Sequence, residues 1–153
     1  MLKQLNLPEY SFRITEKEGS LIIFDQLRRK YVKLTDEEWV RQNFVRYLIH
    51  EGGYPPGLMI IEGHYEHNKL KRRVDIVVHN REGKPVLIVE CKSPDVDIDD
   101  CLVRDQAGEY NKFLKVPYVL FTNGIKHYAF RYHIDLEQYE YLMAIPRYTD
   151  LLT

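Results

Sequence analysis

Cysteine, long apolar runs and net charge are all scarce in this sequence, and each shortage removes a class of protein. Two cysteines, Cys91 and Cys101, stand among 153 residues. That is too few for a disulfide scaffold, and their spacing matches no zinc motif. No run reaches the roughly 18 apolar residues that a membrane helix needs, and the opening "MLKQLNLPEY" lacks the apolar centre of a secretory leader. A reduced, cytoplasmic protein with no membrane partner is the expectation. The formal net charge is −1, so no global basic field announces a nucleic-acid partner; one would have to be held by a local patch. Repeats, low-complexity tracts and linkers are absent as well. With 44% hydrophobic and 29% charged residues, the composition is that of a folded chain. One domain over residues 1–153 is expected.

What is present is patterned. Twelve tyrosines suit half-buried strands, and also stacking on bases. "SFRIT" and "SLIIF" flank "EKEG" and predict an N-terminal hairpin over residues 11–25, which "KYVKL" extends. Thr35 with Glu38 three residues on reads as a capping box. The helix it opens runs to His50 and stops at Gly52-Gly53 before Pro55-Pro56, with Val40, Phe44, Tyr47 and Leu48 as its apolar stripe. Strands follow at "LMIIEGHYE", 74–79 and 85–92. A second helix is expected over 97–115, a buried strand at "PYVLFT", and a hairpin partner "IKHYAFRYH" after Asn123-Gly124. "LEQYEYLMAI" reads as a short final helix. The expected architecture is an α/β layered domain, a mixed sheet flanked by helices.

The chemistry concentrates in "RRVDIVVHNREGKPVLIVECKSPD", residues 72–95. With Glu82-Gly83 as the central turn residues, Arg81 pairs with Lys84, Val77 with Ile88 and Asp75 with Glu90. Directly opposed side chains lie about 5 Å apart at Cβ. Period-two alternation adds Lys92 to the face of Glu90 and turns Cys91 to the core, where a nucleophilic role is not expected. Two carboxylates so close repel, and a hard divalent cation relieves the conflict. A lysine beside them suits water activation or phosphate stabilisation. A strand-end ion pair would use the same three residues.

The surrounding segments resemble the PD-(D/E)xK nuclease superfamily, specifically the N-terminal nuclease domain of type I restriction enzyme R subunits. They are "KLTDEEWVRQNFVRYLIHEGGYP", "RRVDIVV", "VLIVECKSPDV", "DQAGEYN" and "VLFTNG", in that order. Gln106-x-x-x-Tyr110 looks like the Q-x-x-x-Y motif of RecB-like and type I nucleases, with both residues on one helical face. The resemblance implies a restriction-endonuclease-like fold with a core over about 35–133. It implies Mg²⁺-dependent hydrolysis of DNA, Mn²⁺ able to substitute, with Asp75 and Glu90 as metal ligands and Lys92 assisting the water. Gln106 and Tyr110 would position the site or the strand. Relatives often carry a first-helix glutamate facing the metal, and Glu37 is the candidate; Arg41 on the same face is its alternative partner. Lys69, Lys71, Arg72 and Arg73 would stand at the rim as phosphate contacts. A second basic run, Arg28, Arg29, Lys30 and Lys33, reads as solvated surface.

Two departures matter. Val74 stands where the superfamily's name has proline. No G-x-x-x-x-G-K-[ST] loop occurs, so DNA translocation is not expected of this chain by itself. The expectation is a stand-alone nuclease, a homodimer, or one part of a restriction or repair assembly. The alternative is a non-catalytic module of nuclease fold that binds nucleic acid or protein. His64, Glu66 and His67 resemble half a zinc site but have no further ligands at spacing, and aspartates 95, 97, 99 and 100 suit a helix N-terminus better than a calcium loop.

Overall fold

A computed structural model describes residues 2–67, 69–99, 103, 105–109 and 115–153. Three antiparallel strands open the chain: β1 (Ile14–Lys17), β2 (Ser20–Asp25) and β3 (Lys30–Lys33), in the order β1-β2-β3. The first turn places Glu18 and Gly19 at φ +51° and +81°, the paired positive values that match the twist of a two-residue hairpin.

Helix α1 (Asp36–His50) follows. The Thr35 hydroxyl accepts the Glu38 backbone N–H at 3.0 Å, and Asp36 and Glu37 complement the positive end of the helix dipole. The reciprocal half of the expected capping box is missing, because the Glu38 carboxylate is drawn to the guanidiniums of Arg41 and Arg28 instead. The helix stops as expected, with Gly53 at φ +70°.

Six strands then form one sheet in sequence order: β4 (Met59–His67), β5 (Leu70–His79), β6 (Pro85–Cys91), β7 (Tyr118–Thr122), β8 (His127–His133) and β9 (Gln138–Leu142). Every neighbouring pair is antiparallel except β6 and β7. A parallel pair needs a long crossover, here residues 92–117, of which 103 and 105–109 are helical. The final helix expected over 136–145 is a correction: Gln138–Leu142 is the edge strand β9. Period-two alternation of Tyr139 and Tyr141 decides it, pairing them with Tyr132 and Phe130 on β8.

Two cores sandwich the sheet. Ile76, Val78, Leu87, Val89, Cys91 and Leu120 pack against Val40, Phe44 and Leu48 of α1. Val77, Ile88, Val119, Phe121 and Phe130 pack against Ile98, Val103 and Ala107. The N-terminal segment is tied across the α1 side: Asn6 N–H donates to the Gly124 carbonyl at 2.8 Å, and a Cβ on Gly124 would meet Leu5 Cδ2 at 2.7 Å. Gly124 also has φ +86°, so both its conformation and its contact exclude a side chain.

His127 anchors the same corner. Its Nε2 lies 3.2 Å from the Asn6 carbonyl and its Nδ1 2.7 Å from the Thr122 hydroxyl, with its ring against Phe44. Burial pushes its pKa below the usual histidine value, only partly opposed by the Asn6 carbonyl. The unfolded chain therefore binds the proton better. The neutral ring's contribution is intact above about pH 6.5 and is lost as pH falls from there through the folded-state pKa. Thermal melts should show a steeper loss between neutral and mildly acid pH for the wild type than for His127→Gln. Equal slopes would remove His127 from the account.

Candidate functional site

The ladder between β5 and β6 pairs Ile76 with Val89, Val77 with Ile88 and Val78 with Leu87, which makes Asp75 and Glu90 the next opposed positions. The turn that sets this register differs from expectation. Asn80, not Arg81, faces Lys84, through Asn80 N–H to the Lys84 carbonyl at 2.8 Å, and its side-chain oxygen caps Glu82 and Lys84. The loop is three residues, Arg81–Gly83, with Gly83 at φ +82°. A bulge after Val78 leaves Val86 as the extra residue and restores the register. Two shifts of one residue cancel.

Midway along β5, where its ladder with β6 ends, the sheet's alternation breaks. Val74 joins the same core as Val77, where strict alternation would place it with Ile76. Between them sits Asp75. Its neighbour across β4 is Glu62, flanked by the pairs Ile61–Ile76 and Gly63–Val74, and Glu62 has φ +55°. The irregularity turns the Asp75 carboxylate toward α1, where Arg41 Nη1 donates to its Oδ1 at 3.0 Å. Oδ2 accepts the Cys91 backbone N–H at 2.8 Å, and Asp75 N–H reaches Glu90 Oε1 at 3.4 Å. Each acid is thus bridged to the backbone of the opposite strand. Both are buried, at 7% and 8% exposure.

Lys92 follows on the same strand end, half-buried, with its backbone N–H donating to the Thr122 carbonyl at 2.8 Å. Glu37 is exposed on the first turn of α1 and senses the same site. Partial desolvation and then the Asp75 charge raise its pKa, while Lys92, Arg41 and Arg73 oppose the shift. Asp75 and Glu90 therefore meet directly, and Glu37 lies within electrostatic reach of Asp75 and of Lys92. Gln106 is half-buried on the helical residues 105–109, and no hydrogen bond joins it to these groups among the described residues. Tyr110 lies outside the described residues, as do Asp100 and Cys101. Cys91 is 1% exposed, and burial followed by the charges of Asp75 and Glu90 pushes its thiol well up. It is held as an inert core residue. His64 is exposed, and no three His, Cys, Asp or Glu side chains among the described residues are arranged to hold a metal by themselves.

Sequence reasoning missed the groups behind Asp75. Arg41 bonds Glu38 and Glu62 as well, so its helical partner is Glu38 rather than Glu37. Arg28, carried on the β2–β3 loop, bonds Asp25, Glu38 and Glu62. Gln42 joins Asp25 to Glu38. Burial alone would raise Asp25 and Glu38; the hydrogen bonds and charge of Arg28 on the first, and of Arg41 on the second, outweigh it and hold both low. Burial likewise works against the Arg41 charge, and Glu38, Asp75 and Glu62 more than offset it. Two guanidiniums here serve four carboxylates, Asp25, Glu38, Glu62 and Asp75. Arg73 adds a third, longer contact, 3.8 Å to Glu62. The Glu38–Arg41 spacing of three was the one signal in the sequence.

A mixed sheet with one parallel step, α1 over one side, and acids at the diverging end of β5 and β6 define the restriction-endonuclease-like class. The chain belongs to the family described as "Type I restriction enzyme R protein N terminus", whose model matches residues 36–146. Among solved structures it is similar to a fragment of a putative HsdR subunit of a type I restriction enzyme from Vibrio vulnificus YJ016. That likeness has a TM-score of 0.55 at 17% identity, over 78% of this chain and 25% of that one. The chain thus spans about a quarter of that chain's length. No curated protein matches it. No helix among the described residues is long and apolar enough to cross a membrane.

Proposed function

We propose that the protein is a metal-dependent nuclease that hydrolyses DNA phosphodiester bonds at Asp75, Glu90 and Lys92. The observation that carries this reading is the buried Asp75–Glu90 pair, brought together where the β5–β6 ladder ends. Two carboxylates held this close repel each other, and an all-oxygen donor set fits a hard divalent ion, which commonly uses one or two carboxylates and water. Asp75 and Glu90 would hold Mg²⁺ or Mn²⁺, with Glu37 as a further candidate. Once bound, such an ion polarises a phosphoryl oxygen and lowers the pKa of water.

The chain's own residues do the rest. Arg41 and the Cys91 N–H fix the Asp75 carboxylate, so little reorganisation is left for the reaction. The Lys92 ammonium orients the attacking water or stabilises charge on the phosphate. Gln106 and Tyr110 position the strand, and Lys69, Lys71, Arg72 and Arg73 contact phosphates. The family supports a restriction-type setting inside the cell, with partner subunits or a second copy of the chain. The test is cleavage of plasmid and single-stranded DNA in Mg²⁺, in Mn²⁺ and in EDTA. Wild type should cut only with metal and Asp75→Asn should not cut; wild type inert under every metal would overturn the reading.

One observation favours a second reading. Arg41 and the Cys91 N–H already engage both Asp75 oxygens, as a non-catalytic module that binds nucleic acid or protein would have them. Such a module needs no divalent ion at Asp75 and Glu90, and metal affinity separates the two.

A further inference from the structure

The fold brings together two basic runs that are far apart in sequence, one ending at Lys33 and the other beginning at Lys69. β3 is the outer strand of the N-terminal sheet, and it presents Lys30 and Lys33 to solvent. Across from it stands Arg73, 61% exposed on β5. Between them runs an open groove of about 640 Å³, floored by the first turns of α1 with Glu37 and Arg41. Arg41 bonds Asp75, so the groove leads to the candidate site.

The cations on its walls are not equivalent. Arg28 and Arg41 are consumed by carboxylates. Lys30 and Lys33 make no ion pair with any described residue, and Arg73 makes one loose contact, 3.8 Å to Glu62. Lys71 lies two residues beyond Arg73, about 7 Å along the strand and exposed. Exposed positive charge therefore stands on both sides, with Glu37 and Glu38 on the α1 floor and Glu62 on β4 beside Arg73. β1–β3 fall outside the family match, which begins at residue 36. This wall is supplied by the part of the chain that the family model does not cover.

We infer that the groove between β3 and the β4–β5 hairpin binds the sugar-phosphate backbone of a DNA strand, with Lys30 and Lys33 on one wall and Arg73 and Lys71 on the other. Exposed cations on facing sides of an open channel, with Lys30 and Lys33 outside any ion pair among the described residues and Arg73 in one 3.8 Å contact, suit an extended polyanion better than a single small anion. The inference rests on the nuclease reading for its substrate class, but binding can be measured without hydrolysis.

The experiment is fluorescence anisotropy of a labelled DNA oligonucleotide in EDTA across a salt series. It compares wild type, Lys30→Glu/Lys33→Glu, and Arg81→Glu/Lys84→Glu at the far turn, with thermal melts to confirm folding. The first double variant should bind at least about tenfold more weakly, with a log–log salt slope reduced by roughly 1.4–1.8, the loss of two phosphate contacts. The far-turn variant should match wild type. Unchanged affinity and slope in Lys30→Glu/Lys33→Glu, or no binding by wild type, overturns the inference. Cleavage is read separately in Mg²⁺. If wild type cuts DNA while the double variant binds normally, the groove assignment falls and the nuclease reading stands. If the double variant loses binding while wild type never cuts, the groove stands and the hydrolytic reading falls.

Discussion

Lys92→Ala should lower the rate of metal-dependent DNA cleavage by about 10²–10⁴-fold, the range for losing a positioned proton-transfer or charge-stabilising group. The backbone of Lys92 is fixed by the Thr122 carbonyl at 2.8 Å, so the ammonium is delivered by a rigid strand end. Its side chain is half-buried and makes no hydrogen bond or ion pair with any described residue, so stability should move by no more than about 0.5 kcal/mol. A large loss of rate with an unchanged melt is the signature of a residue that acts on the reaction. A variant that keeps half the wild-type rate would remove Lys92 from the mechanism. Lys84→Ala, at the opposite end of the same hairpin, should cut at the wild-type rate.

Arg41→Met should destabilise the fold by about 3–5 kcal/mol, because it removes the guanidinium that bonds the buried Asp75 and leaves Glu38 to Arg28 alone. The Arg41 side chain is 7% exposed and touches Glu38, Asp75 and Glu62. For a domain whose total stability is on the order of 5–15 kcal/mol, that is a large fraction. Arg41→Lys should recover only part of it, since one ammonium cannot reproduce a guanidinium fork shared among three acids. The loss should shrink toward acid pH, because Glu38, no longer held low by Arg41, takes up a proton more readily in the variant. Urea unfolding at pH 7.5 and pH 5 measures both effects. A loss below about 1 kcal/mol at neutral pH would mean that the network is well hydrated and positions nothing.

These two residues also show how far the sequence could be read. The strands that carry Asp75, Glu90 and Lys92 are legible because period-two alternation and a hairpin are local. Helix α1 was legible for the same reason, with Thr35 at one end and Gly52-Gly53 at the other. The Asp75–Glu90 register was reached through the wrong turn, since nothing in "HNREGKPV" reveals that Asn80 caps a three-residue loop and Val86 bulges to compensate. Arg41 was harder. Its link to Asp75 spans 34 positions, and the kink that turns Asp75 toward α1 depends on Glu62 across the sheet. The tail was misread because a stretch rich in Tyr, Leu and Met fits a helix until β8 offers an open edge to pair with. The lysines of β3 looked like ordinary surface, and only the fold sets them across from Arg73.

The most direct test of the central claim is a crystal soaked in Mn²⁺ with anomalous scattering measured at the manganese edge. The account predicts a peak between the carboxylates of Asp75 and Glu90, lost in Asp75→Asn crystals soaked in the same way. A map with no peak there, in crystals where Arg41 still holds Asp75, would contradict a metal-dependent nuclease and leave the acids as a structural ion network.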